Sequence, residues 1–238
     1  MLPRQPNQSV IDGFRCLQFV VAQEQPVGVT FLSEELGMEI TRVHRLLRTL
    51  SHLGLIKQTD GKKYGPGPAI PVLAAQTLHA THFGDKVLPE LQRLGRSTKQ
   101  NVALGVLWER SVSYLYHGKG SKGIGGHELW PASKSGLGLL ILSRKTDEQV
   151  RAIMSGHPIP GFENVKALCE ALAKIRRQGY VFVHTIKTEA TLAVALEVND
   201  SLALGVTGRF DSSYVPHLLP QLTVSASEID GSFSLFRS

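Results

Sequence analysis

The chain has 238 residues, enough for one large domain or two small ones that each bury a core. Its 26 lysines and arginines against 20 acids give a formal net charge of +6, which favours acidic partners without demanding them. Two distant cysteines exclude a disulfide framework or a CxxC metal site, and neither a signal-peptide core in "MLPRQPNQSV" nor an apolar run of roughly 18 residues is present, so the expected setting is the cytoplasm, away from any membrane.

Ser9 reads as the N-cap of a first helix, with Asp12 at its third position and Val10, Phe14, Leu17 and Val21 at helical spacing up to Gln25 and Pro26. Thr30 then caps a short helix with Phe31, Leu32 and Leu36 turned inward, and Gly37 supplies the sharp turn after it. Cys16 and Cys169 each sit inside an apolar helical pattern and read as small core residues.

The stretch "EITRVHRLLRTLSHLGLI" follows that turn directly. At about 100° per residue, Ile40, Val43, Leu46, Leu47, Leu50 and Leu53 form one stripe. Thr41, Arg45, Arg48 and His52 lie opposite, flanked by Arg42, His44 and Thr49. Gly54 stops this helix, Leu55 to Gln58 reads as a strand, "TDGKK" as a hairpin turn on Asp60 and Gly61, and Tyr64 as the start of the returning strand. Three helices followed by a lysine-tipped hairpin make a winged helix-turn-helix. That arrangement gives the basic face a physical purpose: double-stranded DNA. Thr41, Arg42, His44, Arg45 and Arg48 would reach base edges and phosphates in the major groove, and Lys62 and Lys63 of the wing would touch flanking backbone.

"GPGPAIPVLAAQTLHATHFG" ends the wing and leads into a helix from Val72 to His82, with Val72, Leu73, Ala75, Leu78 and Phe83 available for packing. His79 and His82 stand at the i, i+3 spacing of metal ligands, but no third ligand is near, and solvated histidines are the plainer account. From Asp85 the pattern gives a helix over "DKVLPELQRLGRST", strands in "NVALGVLW" and "SVSYLYHG", and a glycine-rich crossing, "GKGSKGIGGHELW". The crossing matches neither phosphate-binding glycine signature and reads as a loop near a pocket. "PASKSGLGLLILSRK" turns helical, and "TDEQVRAIM" and "FENVKALCEALAKIRRQG" give further helices. Strands "YVFVHTI", "ATLAVALEV" and "SLALGVTGR" come next, and a closing helix runs from Ser213 to Ile229.

The segment "LSEELGMEITRVHRLLRTLSHLGLIKQTDGKKYGPGPAI" resembles the DNA-binding domain of the IclR family of bacterial transcriptional regulators. The likeness rests on "VHRLLRTL" from Val43 to Leu50, the Gly54 break, the short wing and the "YGPGPAI" exit. It implies an α+β chain: a winged helix-turn-helix over 1–68, a linker helix over 69–83, and a GAF-like α/β effector-binding domain with an antiparallel sheet over 84–238. It also implies a homodimer or homotetramer on a palindromic operator, acting as a repressor under the control of a small-molecule effector.

In that family the effector pocket is formed by the helix start after the glycine-rich crossing and by the last three strands. The matching start is "ASKSG", Ala132 to Gly136, where the hydroxyls of Ser133 and Ser135 and the first helical amides could seat a carboxylate. The same serines could equally be plain helix caps. Members that bind small polar keto acids often place an Asp after the "RxxGY" turn and a Cys in the next strand, and these positions fall here near Val183 or His184 and on Leu192. With Gly205 and Thr207 across from it, Leu192 makes an apolar wall, so an aromatic or otherwise apolar effector is expected at Ser133, Ser135, His184, Leu192, Gly205 and Thr207. A member without an effector remains the alternative. No GxSxG elbow, HExxH helix or telling carboxylate pair is present, so an enzyme is not expected, nor any cofactor or metal.

Overall fold

A computed structural model describes residues 6–118, 129–186 and 189–232. The glycine-rich crossing expected near a pocket falls mostly outside these residues. Two units divide the chain, Met1–His79 and Ala80–Ser238.

In the first unit, α1 (Gln8–Val21) is capped by Asn7, whose side chain accepts from the amides of Ser9 and Val10. The cap thus lies two residues before Ser9, because either residue type can hold an orphan amide and Asn7 does so first along the chain. The helix also ends at Val21, short of the proline. α2 (Val29–Leu36) starts after Gly28, with Thr30 inside it, and ends at Gly37, whose left-handed φ of 61° accepts no side chain cheaply. Phe31 is 46% exposed rather than inward, with its edge toward Phe19.

α3 (Ile40–His52) buries Val43, Leu47 and Leu50. Its apolar stripe is narrower than the sequence suggests: Ile40 and Leu53 are 44% and 58% exposed, since they stand at the helix ends, beyond the packed core. β1 (Ile56–Thr59) and β2 (Lys63–Pro66) form the wing, and Gly61 and Lys62 both take positive φ at its tip. Tyr64 exchanges two backbone hydrogen bonds with Val27, which ties the wing to the α1–α2 connection. Cys16, Leu32, Val43, Leu47, Ile56 and Tyr64 share one core. α4 (Ala69–Ala80) follows, with Pro71 in its first turn, where no amide is missed. None of its side chains is buried in the single chain.

In the second unit a π-helical turn, Phe83–Val87, leads into α5 (Leu88–Thr98). Six strands follow in space as β5-β4-β3-β8-β7-β6, every pair antiparallel. They are β3 (Asn101–Trp108), β4 (Ser111–Gly118), β5 (Leu129–Pro131), β6 (Tyr180–Ile186), β7 (Glu189–Ala195) and β8 (Leu202–Gly208). α5 and α9 (Val215–Ser232) cover one face, packing on Leu104, Leu192, Leu204 and Val206. α6 (Gly136–Ser143), α7 (Asp147–Met154) and α8 (Val165–Gln178) cover the other, over Ala103, Val112, Ala193 and Ala203. Glycines let α6 lie close: a Cβ on Gly205 would come 2.8 Å from Leu137. No helix among the described residues is long and apolar enough to cross a membrane.

Candidate DNA interface and effector site

α3 presents Thr41, His44, Arg45 and Arg48 to solvent, on the side away from its buried residues. Arg45, Arg48, Thr49 and His52 line one shallow basic cleft. Among the described residues neither Arg45 nor Arg48 has a salt bridge, so both guanidinium groups are available to an acidic partner. Lys62 and Lys63 are exposed at the wing tip.

Arg42 behaves differently, and the expectation that it faces away like Arg45 is corrected. Its Nη2 lies 2.6 Å from Oδ2 of Asp12, whose side chain is only 7% exposed. The guanidinium is turned back onto α1. No spacing within α3 signals this, because Asp12 is far away in sequence and meets Arg42 only when the two helices cross.

The expected effector residues divide between the two faces of the sheet. Gly136 at the start of α6 stands over β6 and β7: a Cβ there would lie 2.6 Å from Thr191 Cγ2 and 3.3 Å from Val183 Cγ2. Thr207 is paired with Thr191, and Gly205 lies under Leu137, so Gly205 and Thr207 share this face. Leu192 does not. It pairs with Phe182 and Val206 and is fully buried in the core under α5 and α9. His184 has the parity of Leu192 and sets its ring edgewise to Phe182, 5.4 Å away. The expected wall was one residue out of register, and in a strand such a slip moves a side chain to the opposite face. The residues turned to α6 are Val183 and Thr191.

Both serines are buried and already bonded. Ser135 caps α6 by accepting from Gly138 N–H at 3.3 Å, and its hydroxyl is 3.3 Å from that of Tyr114. Ser133 donates to the Pro160 carbonyl at 2.7 Å. Burial pushes the Tyr114 hydroxyl up in pKa, partly offset by its Ser135 hydrogen bond. The ring of His117 stacks on Tyr114 with centroids 5.0 Å apart, and desolvation holds that imidazole below its ordinary value while the charge of Glu189 pulls the other way. Tyr114 was not singled out from the sequence, and His117 read there only as a satisfied core or pocket histidine. Only a β4 bulge opposite Leu104 and Gly105 puts residues three apart on one side, and no local signal announces it.

No group of three metal-ligating side chains exists among the described residues, and His82 instead contacts Asp85 at 3.3 Å. Cys16 and Cys169 are free and buried, and burial, aided by the Asp12 charge, pushes the Cys16 thiol up to about 11.

Comparison with known proteins gives two family matches: the IclR helix-turn-helix domain over residues 9–60, and the bacterial transcriptional regulator IclR C-terminal domain over residues 75–230. The HTH-type transcriptional regulator KdgR of Escherichia coli is 26% identical over 221 residues, covering 87% of this chain and 83% of that one. The acetate operon repressor of Salmonella typhimurium is 24% identical, covering 74% and 68%. The crystal structure of an IclR homolog complexed with 4-hydroxybenzoate, from Microbacterium hydrocarbonoxydans, superposes with a TM-score of 0.70 at 18% identity, covering 95% of this chain and 99% of that one.

Proposed function

The chain belongs to the IclR family of bacterial transcriptional regulators, and on that premise we propose how it reads DNA and what its C-terminal unit senses. It is a DNA-binding repressor with an effector-binding domain, and not an enzyme. One observation carries the reading of the interface: Arg45 and Arg48 are exposed, and without a salt bridge among the described residues, on the side of α3 opposite Val43, Leu47 and Leu50. A helix held by that apolar side can enter a major groove with Thr41, His44, Arg45 and Arg48 toward the bases. Lys62 and Lys63 then meet phosphates alongside. The test is titration of the whole chain with a selected operator and with random duplex over a salt series. Preference for the operator, with affinity falling as salt rises, is the expected result; equal binding of both would refute sequence reading.

The protein works on DNA in the cytoplasm as a homodimer or homotetramer. One α3 covers only a half-site, and α4 supports self-association because Val72, Leu73 and Leu78 are 54%, 51% and 42% exposed in the single chain.

The effector is an aromatic or otherwise apolar acid that sits between the start of α6 and the sheet. Val183, one of the two residues near which the Asp position of keto-acid-binding members falls, gives an apolar wall, and the Tyr114 ring adds to it. Thr191, Thr207 and the first amides of α6 offer hydrogen bonds. The relative solved with 4-hydroxybenzoate supports this chemistry. A thermal-shift panel decides it: aromatic monocarboxylates should raise the melting temperature more than pyruvate or glyoxylate, and the reverse order would refute it. The ligand alters operator affinity only as far as it binds the DNA-competent form differently.

A further inference from the structure

We propose that Arg42 is a positioning residue: it holds the DNA-reading helix to α1 through the buried carboxylate of Asp12 and does not itself contact DNA. This rests on the reading of α3 given above. Asp12 is 5% exposed and lies on the inner side of α1, beside the buried Gly13 and one turn before the buried Cys16. Both of its oxygens are used. Oδ1 accepts from Gln8 Nε2 at 2.8 Å, and Oδ2 meets Arg42 Nη2 at 2.6 Å.

Arg42 also commits its Nε to the interior, where the atom is buried without a hydrogen-bond partner. A turn further along α3, Leu46 comes within 3.7 Å of where a Cβ on Gly13 would stand, so the helices are in close approach beside the ion pair. The pair sits in the first turn of α3, the end whose residues meet base edges in a helix-turn-helix.

A phosphate could draw the Arg42 guanidinium away from α1 only by stripping the cation from a buried anion, and an unpaired buried charge is far more costly than an exposed ion pair is favourable. Arg45 and Arg48 carry no such commitment. One cation of α3 therefore sets the angle at which the others approach, which is the task of a group supporting a binding site from behind.

The experiment titrates the full chain against its selected operator and against random duplex over a salt series, as wild type, Asp12→Asn, Arg42→Gln and the double variant. Arg42→Gln should leave the slope of log affinity against log salt unchanged, because no phosphate contact is lost. Its operator-over-random ratio should fall about tenfold, the scale of one lost base contact. Asp12→Asn should lower the ratio similarly although it removes no positive charge, and it should steepen the slope by up to about 0.9 as the freed guanidinium reaches a phosphate. The double variant should be no worse than either single one, as expected of two residues acting as a unit.

A slope shallower by about 0.9 in Arg42→Gln would overturn the proposal by making Arg42 an ordinary phosphate contact. An unchanged ratio in Asp12→Asn would overturn it too, and this variant keeps a carbonyl oxygen to accept from Gln8 Nε2, so it decides the matter even where Arg42→Gln fails to fold. A wild type that prefers no duplex would instead remove the account of α3 on which the proposal stands.

Discussion

Thr191 of β7 stands directly opposite Thr207 of β8 on the sheet face covered by α6, while Leu192, one residue on, is fully buried on the other face. The odd-numbered residues of β7 therefore face α6, where the proposed effector would sit. The even-numbered ones build the core under α5 and α9.

Leu192→Asp should consequently act on stability and not on ligand choice. A carboxylate at that position would be desolvated among Phe182, Val206 and the helices, at a cost of about 3 kcal/mol or more. Thermal unfolding of the variant should show a large loss in the C-terminal unit; a normal melt with altered ligand preference would contradict the placement of Leu192.

Thr191→Val keeps the shape and removes a hydroxyl, so its effect should appear in ligand binding. Calorimetric titration with the best aromatic acid should show affinity weakened by about 0.5 to 1.5 kcal/mol, the net worth of one hydrogen bond. Unchanged affinity would take Thr191 out of the site.

Gly136→Ala tests how closely α6 rides on the sheet. The new methyl would sit 2.6 Å from Thr191 Cγ2 and 2.9 Å from its Cβ, so the helix start must lift. Destabilisation of about 1 to 3 kcal/mol is expected, measured by denaturant unfolding. An unaffected midpoint would mean that the close approach is absent in solution.

Removing Lys62 and Lys63 together should weaken binding to every sequence alike and flatten the salt slope by up to about two. Both are exposed at the wing tip, so circular dichroism should be unchanged. An unaltered slope would take the wing out of the interface.

The first unit was largely legible in the sequence because its signals are local. The period of Val43, Leu47 and Leu50, the break at Gly54 and the turn at Asp60 and Gly61 each lie within a few residues. Asn7 and Ser9 compete as caps on equal chemical terms, and only the fold chooses between them. The partnership of Arg42 with Asp12 depends on two helices crossing, which periodicity does not encode. In the second unit, β7 is buried along nearly its whole length because helices cover both faces of the sheet. A strand without polar alternation does not mark which face meets α6, and so Leu192 was expected on the face that Thr191 occupies.

The most direct test of the central claim is selection of duplexes from a random-sequence pool by the intact protein, followed by footprinting of the winner with wild type and Arg45→Ala. The account predicts a palindromic sequence with half-site centres about 34 to 36 Å apart or a multiple of that spacing. It further predicts that Arg45→Ala loses about 1 to 3 kcal/mol at one base position in each half-site while its melting temperature is unchanged. Enrichment of no sequence, or an Arg45→Ala footprint identical to that of the wild type, would contradict it.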